Sequence, residues 1–131
     1  MLKKYSEFVD GVTSDASKNT RALIQSIMRL DEQGCDIARL DTAFTGLCSE
    51  SGEANDIVKK LKFHGKNYDD EVRDHLIKEL GDVAWYWAQA CMALEIDPEE
   101  VLIANVKKLE ARYPGGKFSI ERSENRKDGD I

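Results

Sequence analysis

Apolar residues recur along this chain at helical spacing, and short polar breaks divide them into five segments. The first runs from about Lys3 to Val12, with Tyr5, Phe8, Val9 and Val12 on one side. Thr13-Ser14-Asp15 breaks it and supplies capping residues for a second helix. That helix carries Leu23, Ile24, Ile27, Met28 and Leu30 and stops near Gly34. A third begins around Asp41 and carries Phe44, Leu47, Ala54, Ile57, Val58 and Leu61. His64-Gly65-Lys66-Asn67 is a polar turn, and beyond it Asp69 or Asp70 caps a fourth helix reaching Leu94. Asp97-Pro98-Glu99-Glu100 starts the fifth with an N-cap, a proline at the first helical position and a capping-box glutamate. It ends at Pro114-Gly115-Gly116, and no segment alternates for long with a strand period. The pattern predicts an all-α fold, a four- to five-helix bundle with a central antiparallel helix hairpin.

Acidic residues interrupt two of the apolar stripes. Ala43, Leu47, Glu50, Ala54, Ile57 and Leu61 share one face of the third helix. Val72, Leu76, Glu79, Val83, Tyr86 and Ala90 share one face of the fourth. Exposed acids on helices are usually solvated, but a carboxylate inside an apolar stripe is costly unless paired or bound to a metal. Glu50 has Glu53 one turn on, and Glu79 has Asp82 one turn on. The two pairs mirror each other about the turn near Lys66, so an antiparallel hairpin brings all four acids to one level. Four such charges repel unless a cation sits among them, and oxygen ligands suit a hard divalent ion. A di-iron carboxylate bundle would need Glu-x-x-His pairs, and neither Glu50 nor Glu79 has histidine at that spacing. An all-oxygen set therefore favours Mg²⁺, with Mn²⁺ as a substitute. His75 lies four residues before Glu79 without an evident partner, and is expected to have a supporting or surface role rather than to ligate.

Composition narrows the function further. A chain of 131 residues is expected to form one domain burying roughly two thirds of its unfolded surface. The net charge of −6 argues against nonspecific binding to nucleic acid or to an anionic membrane. Cys35, Cys48 and Cys91 show no metal-type clustering, and their odd count reads as reduced, mostly buried thiols in a cytoplasm. The opening residues Met1-Leu2-Lys3-Lys4-Tyr5 lead into polar sequence, with neither a signal peptide nor a transmembrane run visible. Residues 1–118 are expected to form the domain and 119–131 a polar, flexible tail, with Phe118 and Ile120 tacking its start to the bundle or to a neighbouring subunit.

Three stretches together resemble the MazG family of all-α nucleoside triphosphate pyrophosphohydrolases. They are Gly46-Leu47-Cys48-Ser49-Glu50-Ser51-Gly52-Glu53 followed by Lys59-Lys60, then Lys78-Glu79-Leu80-Gly81-Asp82-Val83-Ala84-Trp85-Tyr86, and the helix from Asn105 through Lys108 and Arg112 to Pro114. The resemblance covers roughly residues 40–118. It implies cleavage of a (d)NTP between the α and β phosphates, giving a (d)NMP and pyrophosphate. It also implies that Glu50, Glu53, Glu79 and Asp82 hold the metal and that Glu53 takes a proton from the attacking water. Asn105, Lys108 and Arg112 share a stripe on the fifth helix; such residues are ordinarily solvated, and the resemblance turns them towards the phosphates. Lys60 lies two turns after Glu53 on the same stripe and is the better candidate of its pair. Tyr86, four residues after Asp82, is assigned to the nucleoside, with a core role as an equal alternative. Family members assemble as dimers or tetramers with sites near subunit interfaces, so a homodimer or homotetramer is expected. A non-catalytic nucleotide sensor or adaptor is the alternative role, and an alarmone such as ppGpp the alternative substrate.

Overall fold

The structure is a computed structural model and describes residues 1–125 of the chain. Those residues form seven helices and no strand: α1 (Leu2–Val12), α2 (Asp15–Lys18), α3 (Thr20–Glu32), α4 (Ile37–Phe63), α5 (Asp70–Ala93), α6 (Pro98–Arg112) and α7 (Ile120–Glu124). The fold is all-α, as the apolar periodicity predicts.

Local chemistry accounts for the boundaries. The second predicted helix is divided at Asn19, whose extended backbone stops α2 and whose Oδ1 accepts from Ala22 N at 3.1 Å to start α3. The third starts earlier than Asp41, because Asp36 Oδ1 accepts from Arg39 N at 3.1 Å and caps α4. At the other end of α4, Lys66 N donates back to Lys60 O at 3.3 Å across Gly65, which has φ +65. That closure spans seven residues, one more than a Schellman motif, and it turns on the left-handed backbone that glycine adopts freely. Asp69, rather than Asp70, caps α5 by accepting from Val72 N at 2.9 Å. Asp97 caps α6 through Glu99 N at 2.8 Å, with Pro98 at the first position as predicted. The expected tail begins with one helical turn, α7, where Ser119 Oγ accepts from Arg122 N at 3.4 Å. The rest of that tail, from residue 126, lies outside the described residues.

Helices α4 and α5 form the packed centre as an antiparallel hairpin. Ala43, Gly46 and Ile57 of α4 are buried against Val72, Glu79, Ala90, Cys91 and Ala93 of α5. The remaining stripe members Leu47, Glu50, Ala54, Leu61, Leu76, Val83 and Tyr86 are half-buried. At one point the helices approach so closely that a Cβ on Gly46 would lie 2.1 Å from Tyr86 Cε1. Near the open end of the hairpin, Arg39 Nη1 donates to Gln89 Oε1 at 3.2 Å and ties the start of α4 to the last turns of α5.

The flanking helices are covered far less. Helices α3 and α6 touch the hairpin only sparsely. Tyr5, Phe8 and Val12 of α1, Ile24 and Met28 of α3, and Leu102 and Val106 of α6 are all exposed. The chain presents 10801 Å² to solvent, whereas a folded monomer of 14.8 kDa presents roughly 7,000 Å². Cys91 is buried as expected, but Cys48 is exposed because it lies on the outer side of α4.

Candidate metal centre

The i, i+3 spacing on α4 sets Glu50 and Glu53 one turn apart, and α5 brings Glu79 opposite them. One carboxylate oxygen from each of the three lies within 4.8 Å of the others. Two oxygens on opposite sides of an ion with bonds of about 2.1–2.5 Å stand roughly 4.2–5 Å apart. The three glutamates can therefore share one divalent ion. Asp82, one turn beyond Glu79, is exposed and outside this set of three oxygens. It acts on the group electrostatically: the Glu50 carboxyl is raised above its ordinary 4.5, first by desolvation, then by the charges of Glu53, Asp82 and Glu79.

Among the described residues Glu79 is the one charged residue buried in the core, at 6% exposure. Its Oε1 lies 2.9 Å from His75 Nε2, one turn earlier on α5. Its Oε2 is buried and has no hydrogen-bond partner among the described residues. A buried, unpartnered carboxylate oxygen costs about 1–3 kcal/mol or more, and a cation beside it removes that cost. The donor set thus fits a hard ion in chemistry as well as in spacing.

A cleft of about 430 Å³ opens beside these groups, lined by Ser49, Gly52, Glu53, Asp56, Ile57, Lys60, His75 and Glu79. Lys60 is there as predicted, with Nζ 2.6 Å from Asp56 Oδ2, while Lys59 Nζ lies 2.5 Å from Asp56 Oδ1. Hydrogen bonds from Lys59 and then Lys60 hold the Asp56 carboxyl down, to about 2. The sequence reading missed Asp56, although its i, i+3 and i, i+4 relations to the two lysines mark it as their counter-ion. It also left His75 without a partner; the acidic partner is Glu79 itself, at i+4.

The α6 residues stand apart. Asn105 is exposed, Lys108 and Arg112 are half-buried, and none of the three lines the cleft. Tyr86 lies between the central helices, its ring against Gly46 and edge-on to Trp85 with centroids 4.8 Å apart, and it is not among the cleft-lining residues. Of its two predicted roles, this placement favours packing.

A helical hairpin that gathers carboxylates from both arms around one ion-sized point, beside an open cleft, is an arrangement suited to a hard divalent cation. Residues 39–116 match the MazG nucleotide pyrophosphohydrolase domain, and the chain belongs to that family. The match spans α4 to α6 and contains all the residues assigned to the centre. The family is generally dependent on divalent metal, which the glutamate cluster suits. The chain is also similar to the Gene 37 protein of Mycobacterium phage L5, with 39% identity over 84 residues, 63% of this chain and 74% of that protein. No solved structure matches. Among the described residues, no helix is long and apolar enough to cross a membrane.

Proposed function

We propose that this protein is a Mg²⁺-dependent nucleoside triphosphate pyrophosphohydrolase, acting on (d)NTPs in the cytoplasm. The observation that carries the reading is the buried Glu79 Oε2, unpartnered among the described residues, on a carboxylate that clusters with those of Glu50 and Glu53. Bound Mg²⁺, with Mn²⁺ as a substitute, supplies charge neutralisation for the phosphates and a more acidic water. Glu50, Glu53 and Glu79 would hold the ion, with Asp82 one turn beyond Glu79 completing the acidic set, and exposed Glu53 at the cleft wall also accepts the proton of the attacking water. Water adds across the α–β phosphoanhydride, giving a nucleoside monophosphate and pyrophosphate. Lys60, held at the cleft by Asp56, faces the phosphates.

The partners we propose are a nucleotide substrate and further copies of this chain, with neither nucleic acid nor membrane involved. The exposed apolar faces of α1, α3 and α6, and a surface roughly 3,800 Å² above that of a compact monomer, support a homodimer or homotetramer. In that assembly Asn105, Lys108 and Arg112 reach a substrate at the junction between copies.

The test is pyrophosphate release from a panel of ribo- and deoxynucleoside triphosphates with Mg²⁺. Wild-type protein is expected to release it, and Glu53→Ala and Glu79→Ala to abolish release while keeping their helicity. No release across the panel from folded, Mg²⁺-bound protein would overturn the reading in favour of an alarmone substrate or a non-catalytic nucleotide sensor.

A further inference from the structure

His75 takes one of the two oxygens of the most buried ligand. Its Nε2 lies 2.9 Å from Glu79 Oε1, and because an ionised carboxylate only accepts, the ring engages that oxygen as a donor. The other oxygen, Oε2, is the buried one with no partner among the described residues. The two atoms of one carboxylate thus have separate surroundings: Oε1 engaged by an exposed ring, Oε2 left over in the core. The His75 side chain is 55% exposed and that of Glu79 8%. The histidine therefore contributes little core packing, and its contact with Glu79 is what distinguishes it from a solvated residue. It also lines the same cleft as Glu53 and Lys60.

We propose that His75 is a positioning residue that holds the Glu79 carboxylate in one orientation, so that it offers Oε2 alone to the ion. This rests on the metal centre proposed above. Donors beside ligating groups commonly fix ligand orientation in this way. A single fixed oxygen suits Mg²⁺, which demands near-octahedral geometry and short bonds. A larger ion such as Ca²⁺ accepts both oxygens of a carboxylate in a flexible shell, and gains when the carboxylate is free to turn. His75 therefore favours the small ion over the large one.

The experiment is calorimetric titration of the metal-stripped full chain with MgCl₂ and with CaCl₂, without nucleotide. His75→Leu is expected to weaken Mg²⁺ binding by about tenfold and Ca²⁺ binding by less, so that the preference for Mg²⁺ shrinks. His75→Gln, whose amide N–H reaches the same oxygen from the same position, is expected to restore most of both the affinity and the preference. The metal-stripped variants are compared with wild type by circular dichroism, and unchanged helicity separates a positioning effect from a loss of fold. The proposal is overturned if His75→Leu binds Mg²⁺ within about twofold of wild type, if both ions are weakened alike, or if His75→Gln does no better than His75→Leu. Wild-type protein that binds neither ion overturns the metal centre itself, and with it this role. Wild-type binding with unaltered variants overturns the role alone.

Discussion

Replacing Gly46 with alanine tests the close approach of α4 to Tyr86. A Cβ built there falls 2.1, 2.2 and 2.4 Å from Tyr86 Cε1, Cδ1 and Cζ, whereas carbon atoms pack at about 3.5–4.0 Å. The ring must retreat by more than an ångström, and it is held between α4 and α5 with Trp85 at its edge. Overpacking of this kind costs about 3 kcal/mol at the upper end of its usual range. Alanine regains about 1 kcal/mol over glycine inside a helix, leaving a net loss of about 2 kcal/mol. For a chain of this size that lowers Tm by roughly 6–10 °C. The assay is a thermal melt followed by circular dichroism at one protein concentration for all variants. Gly11→Ala is the control, because a Cβ there meets nothing within 4 Å; it should melt at or slightly above wild type. Adding Tyr86→Leu to Gly46→Ala should recover part of the loss. Gly46 lies one turn before Glu50, and Tyr86 one turn after Asp82, so forcing the helices apart here should also weaken Mg²⁺ binding. A Gly46→Ala protein that melts no lower than wild type would refute the close packing on which this estimate stands.

Two further outcomes follow from charge and from exposed surface. Because the Glu50 carboxyl is raised above 4.5, the folded metal-free chain binds its proton more readily than the unfolded chain does. Stability of metal-stripped protein should therefore fall as pH rises from 4.5 through the raised value and level off above it. Melts of wild type and Glu50→Gln in chelator should diverge over that window, and superimposable curves would refute the assignment. The Asp56 contribution has the opposite sign, being present above 3.8 and lost as pH falls through about 2. Light scattering should give a mass well above the 14.8 kDa of one chain, with Tm falling on dilution; a monomer with a Tm independent of concentration would refute the assembly.

The central hairpin was legible because two independent signals agreed. The apolar stripes around Leu47 and Leu76 carry the helical period, and the acids within them sit at mirrored distances from a turn that contains Gly65. The helix starts were legible where a cap precedes proline, as at Asp97, and misread at Asp36, where the cap precedes only moderately apolar residues. The break at Asn19 depends on one side chain turning back on Ala22 N, a local competition that periodicity does not register. The clustering of Glu50, Glu53 and Glu79 was legible from spacing, but the separation of Asp82 from it was not, because that depends on the rotation of α5 about its axis. Asp56 escaped notice, and His75 was left without its partner, for a common reason: each pairs with a residue already given another role. The apolar faces of α1, α3 and α6 read as core positions, and in the single chain they are exposed, because periodicity marks a face as apolar without saying which molecule covers it.

Two long helices joined by the short connection of residues 64–69 meet along apolar stripes that repeat every turn. Moving α5 by one turn, about 5.4 Å, exchanges each apolar side chain for the next in its stripe and leaves much of the burial intact. Such a slipped hairpin would still be helical and compact, and spectroscopy of helix content would not distinguish it from the native form. The ion would distinguish it. Only the native register sets Glu79 opposite Glu50 and Glu53, seats Tyr86 over Gly46 and leaves Arg39 within reach of Gln89. A divalent cation held by the three glutamates would therefore act as a ruler for the hairpin, favouring the native register over misaligned ones that the apolar contacts alone would tolerate.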